Sequence, residues 1–167
     1  RGCEFIAGPV TIPSCGDNLD RCMESIVNGF TTIFNLCEEK PSAISFAFPG
    51  PASYKEGIVG GFLPNFPAFR EGVALGPFLE EKFGVPVFIN NDGDLFAFGE
   101  ATAGILPEIN SKVAALGGSR VYRNLLGYTF GTGFGIGEVI DGRLNLGNNS
   151  CVETFCIPSS VDNSIMA

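Results

Sequence analysis

From Asp17 to Lys40 the chain reads DNLDRCMESIVNGFTTIFNLCEEK, and Leu19, Cys22, Met23, Ile26, Val27, Phe30, Ile33, Phe34 and Cys37 recur at three- and four-residue steps. An apolar stripe of that period is buried by forming an amphipathic helix against a core, so the rest of the chain must supply a layer for it to cover. Asp17 is the expected N-cap, and Glu38, Glu39 and Lys40 close the helix. The partner layer begins at once. SAISFAF (42–48) is a β-branched and aromatic run cut off by Pro49-Gly50-Pro51, a strand that empties into a rigid loop. Ligands often bind at such strand ends.

The pattern continues as an alternation. Residues 3–10 read as a strand, EGIVGG (56–61) as a short one, and FLPNFPAF is kept irregular by Pro64 and Pro67. GPFLEEKFG reads as a helix with Pro77 in its first turn and Gly84 just past its end, VPVFIN as a buried strand, and DLFAFGEATAG as a further helix. This order predicts an α/β lobe over 1–106. PEINSKVAALGGSRVYRN is polar and Gly-rich and reads as a linker or exposed connection. After it NLLGYTF, GFGIGEVI and GRLNLG read as strands, the last two joined by an Asp141-Gly142 hairpin turn, so a second lobe is expected over 107–167.

Several function classes are disfavoured. No apolar stretch approaches the roughly eighteen residues a membrane span needs, and RGCEFIAGPV lacks the regions of a signal peptide, which predicts a cytoplasmic protein without membrane contact. The net charge is −8, from 18 acidic and 10 basic residues, with no Lys/Arg cluster to track a phosphate backbone, so direct nucleic-acid binding is not expected. There is no histidine, which leaves carboxylates as the proton carriers near neutral pH. The six cysteines show no CxxC spacing, and Cys22 and Cys37 read as small buried hydrophobes rather than as a disulfide framework.

Two stretches could carry chemistry. Gly131-Thr132-Gly133-Phe134-Gly135-Ile136-Gly137 matches neither G-x-G-x-x-G nor a Walker loop. It reads either as a glycine-kinked hairpin or as a turn whose backbone N–H groups approach a phosphate, with Thr132 adding a hydroxyl. Asn90-Asn91-Asp92-Gly93-Asp94 fails the EF-hand pattern. It works well as a strand-to-helix turn, and it also works as a carboxylate held at a strand end to accept a proton from a substrate hydroxyl. Residue types alone favour the turn.

Taken together, Pro49-Gly50-Pro51, Pro64-Asn65-Phe66-Pro67-Ala68-Phe69, Asn91-Asp92 and Gly131-Thr132-Gly133-Phe134-Gly135 follow the order and approximate spacing of the ROK family of bacterial sugar kinases and sugar-responsive repressors. Over Ile44 to Ile157 the chain resembles that family. The resemblance implies an actin/hexokinase (ribonuclease H-like) α/β fold whose two lobes close over ATP and a hexose or amino sugar. It implies that Asp92 takes the proton from the attacking sugar hydroxyl, that Asn91, Asn65 and Glu153 hydrogen-bond the sugar, and that the loop from Gly50 lines its site. Gly131, Thr132, Gly133 and Gly135 resemble the second phosphate loop, and ATP with Mg²⁺ is the implied phosphate donor.

The chain departs from the family where Asn-Asp-Ala-Asn becomes Asn91-Asp92-Gly93-Asp94, and where Glu-x-Gly-His falls on Glu153-Thr154-Phe155-Cys156. A thiolate can bind zinc, but Cys151 is the only other nearby thiol, and a half-buried Cys156 in an atypical sugar loop is the simpler reading. No metal ligand is therefore assigned. These 167 residues contain no Asp-x-Gly-Gly-Thr strand, the family's first phosphate loop. The chain is expected to be a fragment comprising most of the N-terminal lobe and the first strands of the C-terminal lobe, inactive alone. The alternative expectation is a sugar-binding regulator or a non-catalytic relative. Sixteen phenylalanines are compatible with a partner surface, including a homodimer.

Overall fold

The computed structural model describes residues 5, 7–130, 134–147, 153–155, 157–158 and 165–166. The elements run α1 (Leu19–Leu36), β1 (Ile44–Ala47), β2 (Ala52–Ser53), β3 (Ile58–Val59), a 3₁₀ turn (Pro67–Phe69), α2 (Leu75–Phe83), β4 (Val87–Asn90), α3 (Asp92–Thr102), α4 (Ile105–Ala115), β5 (Leu125–Phe130), β6 (Phe134–Ile140), β7 (Arg143–Asn145), β8 (Glu153–Phe155), β9 (Ile157–Pro158) and β10 (Ile165–Met166). The fold is mixed α/β, as expected. By internal contact the chain forms two units, residues 1–89 and 90–167.

In the first unit α1 spans the predicted stretch, but its cap is one residue later. Asn18, not Asp17, is the N-cap, its side-chain oxygen accepting the Arg21 N–H at 3.0 Å. The most buried seam of α1 is built of small residues, Cys22, Ser25 and Gly29. The preceding segment lies against that seam: the Ser25 hydroxyl donates to the Pro13 carbonyl, and Ile12 packs where a Gly29 side chain would stand. The described part of the predicted 3–10 strand, residues 5 and 7–10, is irregular. Cys22 is buried as expected, whereas Cys37 is half-buried at the helix C-cap.

β1 pairs with β4, and β2 with β3 as a short antiparallel hairpin. The core under α1 comprises Cys22, Phe48, Tyr54, Val59, Leu63, Phe69, Leu75, Leu79 and Ile89. Each fully buried leucine or phenylalanine contributes about 1.5–3 kcal/mol relative to exposure. Phe30 of α1 meets Phe46 of β1 edge-on at 5.3 Å and Phe83 of α2 at 6.0 Å, which ties the helix to both elements. α2 ends as its sequence predicts, with Gly84 in the left-handed region at φ 64° and its N–H donating to the Glu80 carbonyl.

In the second unit β6 is central. β5 pairs along one edge, and β7 and β8 take successive parts of the other, all antiparallel. Asp141 (φ 49°) and Gly142 (φ 74°) make the predicted tight turn. α3 lies against β5 and β6 where the hairpin lacks side chains. A Cβ on Gly127 would come within 2.9 Å of the Ala97 Cβ, and one on Gly137 within 2.5 Å of the Gly93 carbonyl oxygen. That packing groups α3 and α4 with the hairpin, whereas the sequence expectation divided the chain at 106–107.

The expected linker contains a helix instead. α4 occupies Ile105–Ala115, because Pro107 falls in a first turn where a missing N–H is tolerated, and the Glu100 carboxylate accepts the Ile105 N–H at 2.7 Å. Asn110 then exchanges hydrogen bonds with the Tyr122 backbone in both directions, holding the returning connection to α4.

Candidate active site

The chain leaves β4 at Asn90, and Asn91 remains extended (φ −61°, ψ 147°) while α3 starts at Asp92. Asn91 is buried and caps the helix: its Oδ1 accepts the N–H groups of Gly93 at 2.8 Å and Asp94 at 3.3 Å, and its carbonyl accepts from Leu95. Asn is among the strongest N-cap residues for this reason. Asp92, the first helical residue, is exposed, with Oδ1 also 3.1 Å from the Gly93 nitrogen. The helix N-terminus is a favourable place for a carboxylate.

The first turn is thereby sorted by exposure. Asn91, Gly93 and Asp94 are buried, and Asp92 faces water. The hairpin does the burying. Gly93 sits where a Cβ would stand 3.1 Å from Asn91 Oδ1 and 3.6 Å from both the Thr129 hydroxyl and the Ile136 nitrogen. Gly135 would meet the Thr129 hydroxyl at 2.6 Å, and Gly137 would place a Cβ 3.0 Å from the Asp94 Cα. The bare Cα positions of Gly135 and Gly137 are therefore accounted for by packing within this unit. The rest of the glycine turn, Gly131, Thr132 and Gly133, lies outside the described residues. Glu153 is placed in β8, opposite Ile136 and one position from the Gly135–Thr154 pair. Cys151 and Cys156 lie outside the described residues.

Asp94 was legible only as a departure from the family's Asn. It is fully buried, and neither carboxylate oxygen has a hydrogen-bond partner among the described residues. Burial, and secondarily the charge of Asp92, push its carboxyl up to about 6. Two carboxyls in one helical turn thus have opposite surroundings, one open to solvent and one dry.

Gly50 and Asn65 belong to the first unit. Gly50 follows β1, where a side chain would run into the Tyr54 hydroxyl at 2.8 Å, and that hydroxyl donates to the Phe48 carbonyl. Asn65 is exposed in a Leu63–Phe66 turn closed by Phe66 N–H donating to the Leu63 carbonyl at 3.0 Å, with Pro64 at the position proline favours. The Phe66 ring anchors the turn against Phe48 and Phe69, with centroids 4.9 and 5.8 Å away. Among the described residues no group of three or more Cys, Asp or Glu could hold a metal ion, and no helix is long and apolar enough to cross a membrane.

The family model of the ROK family matches residues 17–154. A glucokinase from Parabacteroides distasonis is 60% identical, with a TM-score of 0.78 over 87% of this chain and 41% of its own. An ROK hexokinase from Thermus thermophilus shares the fold at 23% identity, with a TM-score of 0.61 over 84% of this chain and 42% of its own. The xylose repressor of Bacillus spizizenii is 32% identical over 104 residues, 62% of this chain and 23% of the repressor. The chain thus spans less than half the length of each of these relatives.

Proposed function

The chain belongs to the ROK family, and from that premise we propose that it is part of an ATP-dependent kinase acting on a hydroxyl of a hexose or amino sugar. Asp92 is the general base. The sugar oxygen attacks the γ-phosphorus, the bond to the bridging oxygen breaks, ADP leaves, and the hydroxyl proton passes to the Asp92 carboxylate. Asn65, Asn91 and Glu153 orient the sugar, and the loop from Gly50 lines its site. The backbone of the Gly131–Gly135 turn, with the Thr132 hydroxyl, approaches the nucleotide phosphates. Bound with the nucleotide, Mg²⁺ would supply neutralisation of the phosphate charge.

The observation that carries this reading is the exposure pattern of the α3 first turn. Its neighbours are locked by the cap and the hairpin, and Asp92 alone among them is presented to solvent. A base must be fixed in place and reachable, and such a turn satisfies both conditions. The 60% identity to a glucokinase favours the kinase over the regulator suggested by the 32% match to a repressor. The test incubates the intact polypeptide carrying this chain with ATP, Mg²⁺ and a panel of hexoses and N-acyl hexosamines, and measures ADP and sugar phosphate. Stoichiometric formation of both supports the kinase. Sugar binding by calorimetry with no phosphate transfer for any sugar would replace it with the regulator.

A further inference from the structure

We propose that Gly16 is a positioning residue for the sugar site, acting through the Asn65 turn; the inference rests on the assignment of Asn65 as a sugar ligand. Cys15 and Gly16 form a reversed turn just before α1. Cys15 has φ 47°, in the left-handed region that few side chains adopt, and its carbonyl accepts the Asn18 N–H at 3.0 Å. Gly16 is buried, and its nearest contact is with backbone. A Cβ there would overlap the Asn65 carbonyl oxygen and stand 3.1 Å from the Asn65 carbonyl carbon and 3.0 Å from the Phe66 ring. The Gly16 carbonyl in turn accepts the Ala68 N–H at 3.1 Å. The Asn65 turn is therefore held from outside by one glycine, by contact on one side and by a hydrogen bond on the other.

Which partner would yield to a methyl group follows from how each is anchored. The Gly16 side is tied to α1: Asn18 caps the helix, and the Cys22 N–H donates to the Asn18 carbonyl in the next turn. The Asn65 side is an exposed turn whose Phe66 ring packs among other rings. Backbone cannot rotate out of the way as a side chain can, so the turn carrying Asn65 shifts. A misplacement of about 1 Å in a substrate-orienting group is enough to lower turnover about 100-fold.

Gly29 supplies a matched control. A methyl there meets only the Ile12 side chain, at 3.1 Å, in the segment leading to the same turn. Gly16→Ala, Gly29→Ala, Asn65→Ala and Gly16→Ala/Asn65→Ala are made in the intact polypeptide. Sugar and ATP KM values are measured alongside amide hydrogen exchange over residues 63–70. Gly16→Ala is expected to speed exchange at Ala68 and to raise the sugar KM about tenfold or more, leaving the ATP KM within about twofold. Gly29→Ala leaves both KM values within about twofold, and Gly16→Ala adds less than about twofold once Asn65 is alanine. Unchanged Ala68 exchange, a Gly16→Ala effect no larger than that of Gly29→Ala, or full additivity with Asn65→Ala would each overturn the proposal. An unchanged sugar KM in Asn65→Ala alone refutes the sugar-ligand assignment itself, through a variant that leaves Gly16 untouched.

Discussion

Replacing Asp94 with asparagine should make the protein more stable, and the gain should depend on pH in a specific sense. In the native state Asp94 is fully buried with both oxygens unpartnered among the described residues, and its carboxyl is pushed from 3.8 up to about 6. A raised acid binds its proton more tightly in the folded chain than in the unfolded one. Below the unfolded value both states are protonated and Asp94 carries no ionisation penalty. Between 3.8 and about 6 the unfolded chain gives up the proton first and stability falls as pH rises; above about 6 both states are ionised and the loss is complete. At 1.36 kcal/mol for each tenfold change in proton affinity, that difference amounts to about 3 kcal/mol. Asparagine cannot ionise, so it avoids the pH-dependent part while keeping the shape. Urea unfolding of both proteins between about pH 4 and about pH 8 tests this. Because the unfolded carboxyl is already more than half ionised at pH 4, the advantage of Asp94→Asn should grow by about 2.5 kcal/mol across that range, with most of the change below about pH 6.5. Parallel curves, or an advantage that shrinks as pH rises, would show that Asp94 does not carry a raised pKa in the folded protein.

The observed cap role of Asn91 and its proposed sugar role are separable. Asn91→Ala should lose about 1–2 kcal/mol of stability, while Asn91→Asp keeps the accepting oxygen and the fold but weakens sugar binding, as unfolding curves and calorimetry would show. Gly137→Ala should destabilise by about 1–3 kcal/mol, because the methyl meets the Gly93 carbonyl oxygen and the Ala97 Cβ, read as a lower midpoint in urea. Gly99→Ala in α3 has open space around it and should raise the urea midpoint, corresponding to about 0.5–1 kcal/mol.

Much of this architecture is legible in the residues, for identifiable reasons. α1 is carried by an apolar period sustained over many turns, and the displacement of its cap from Asp17 to Asn18 reflects two adjacent residues equally able to accept a helix N–H. α4 escaped because its signals are weak singly: a proline that breaks helices elsewhere is harmless in the first turn, and the capping carboxylate of Glu100 comes from the preceding helix. At the candidate site the turn chemistry of Asn91 and the strand-to-helix handover follow from residue type. The burial of Asp94 does not, since local sequence favours a solvated aspartate and only the glycine-rich hairpin packed over the turn excludes water. Gly16 was invisible for the same reason. Its closest neighbours, Asn65 and Phe66, are about fifty residues away in sequence.

The central claim is that the exposed carboxylate on the first turn of α3 removes the proton during phosphate transfer. It is tested most directly by comparing the intact wild-type polypeptide with Asp92→Asn, measuring kcat for sugar phosphorylation and sugar affinity by calorimetry on the same preparations. The expected result is a loss in kcat of about 10²- to 10⁴-fold with sugar affinity changed by less than about fivefold. An Asp92→Asn protein that turns over within about tenfold of wild type would contradict it.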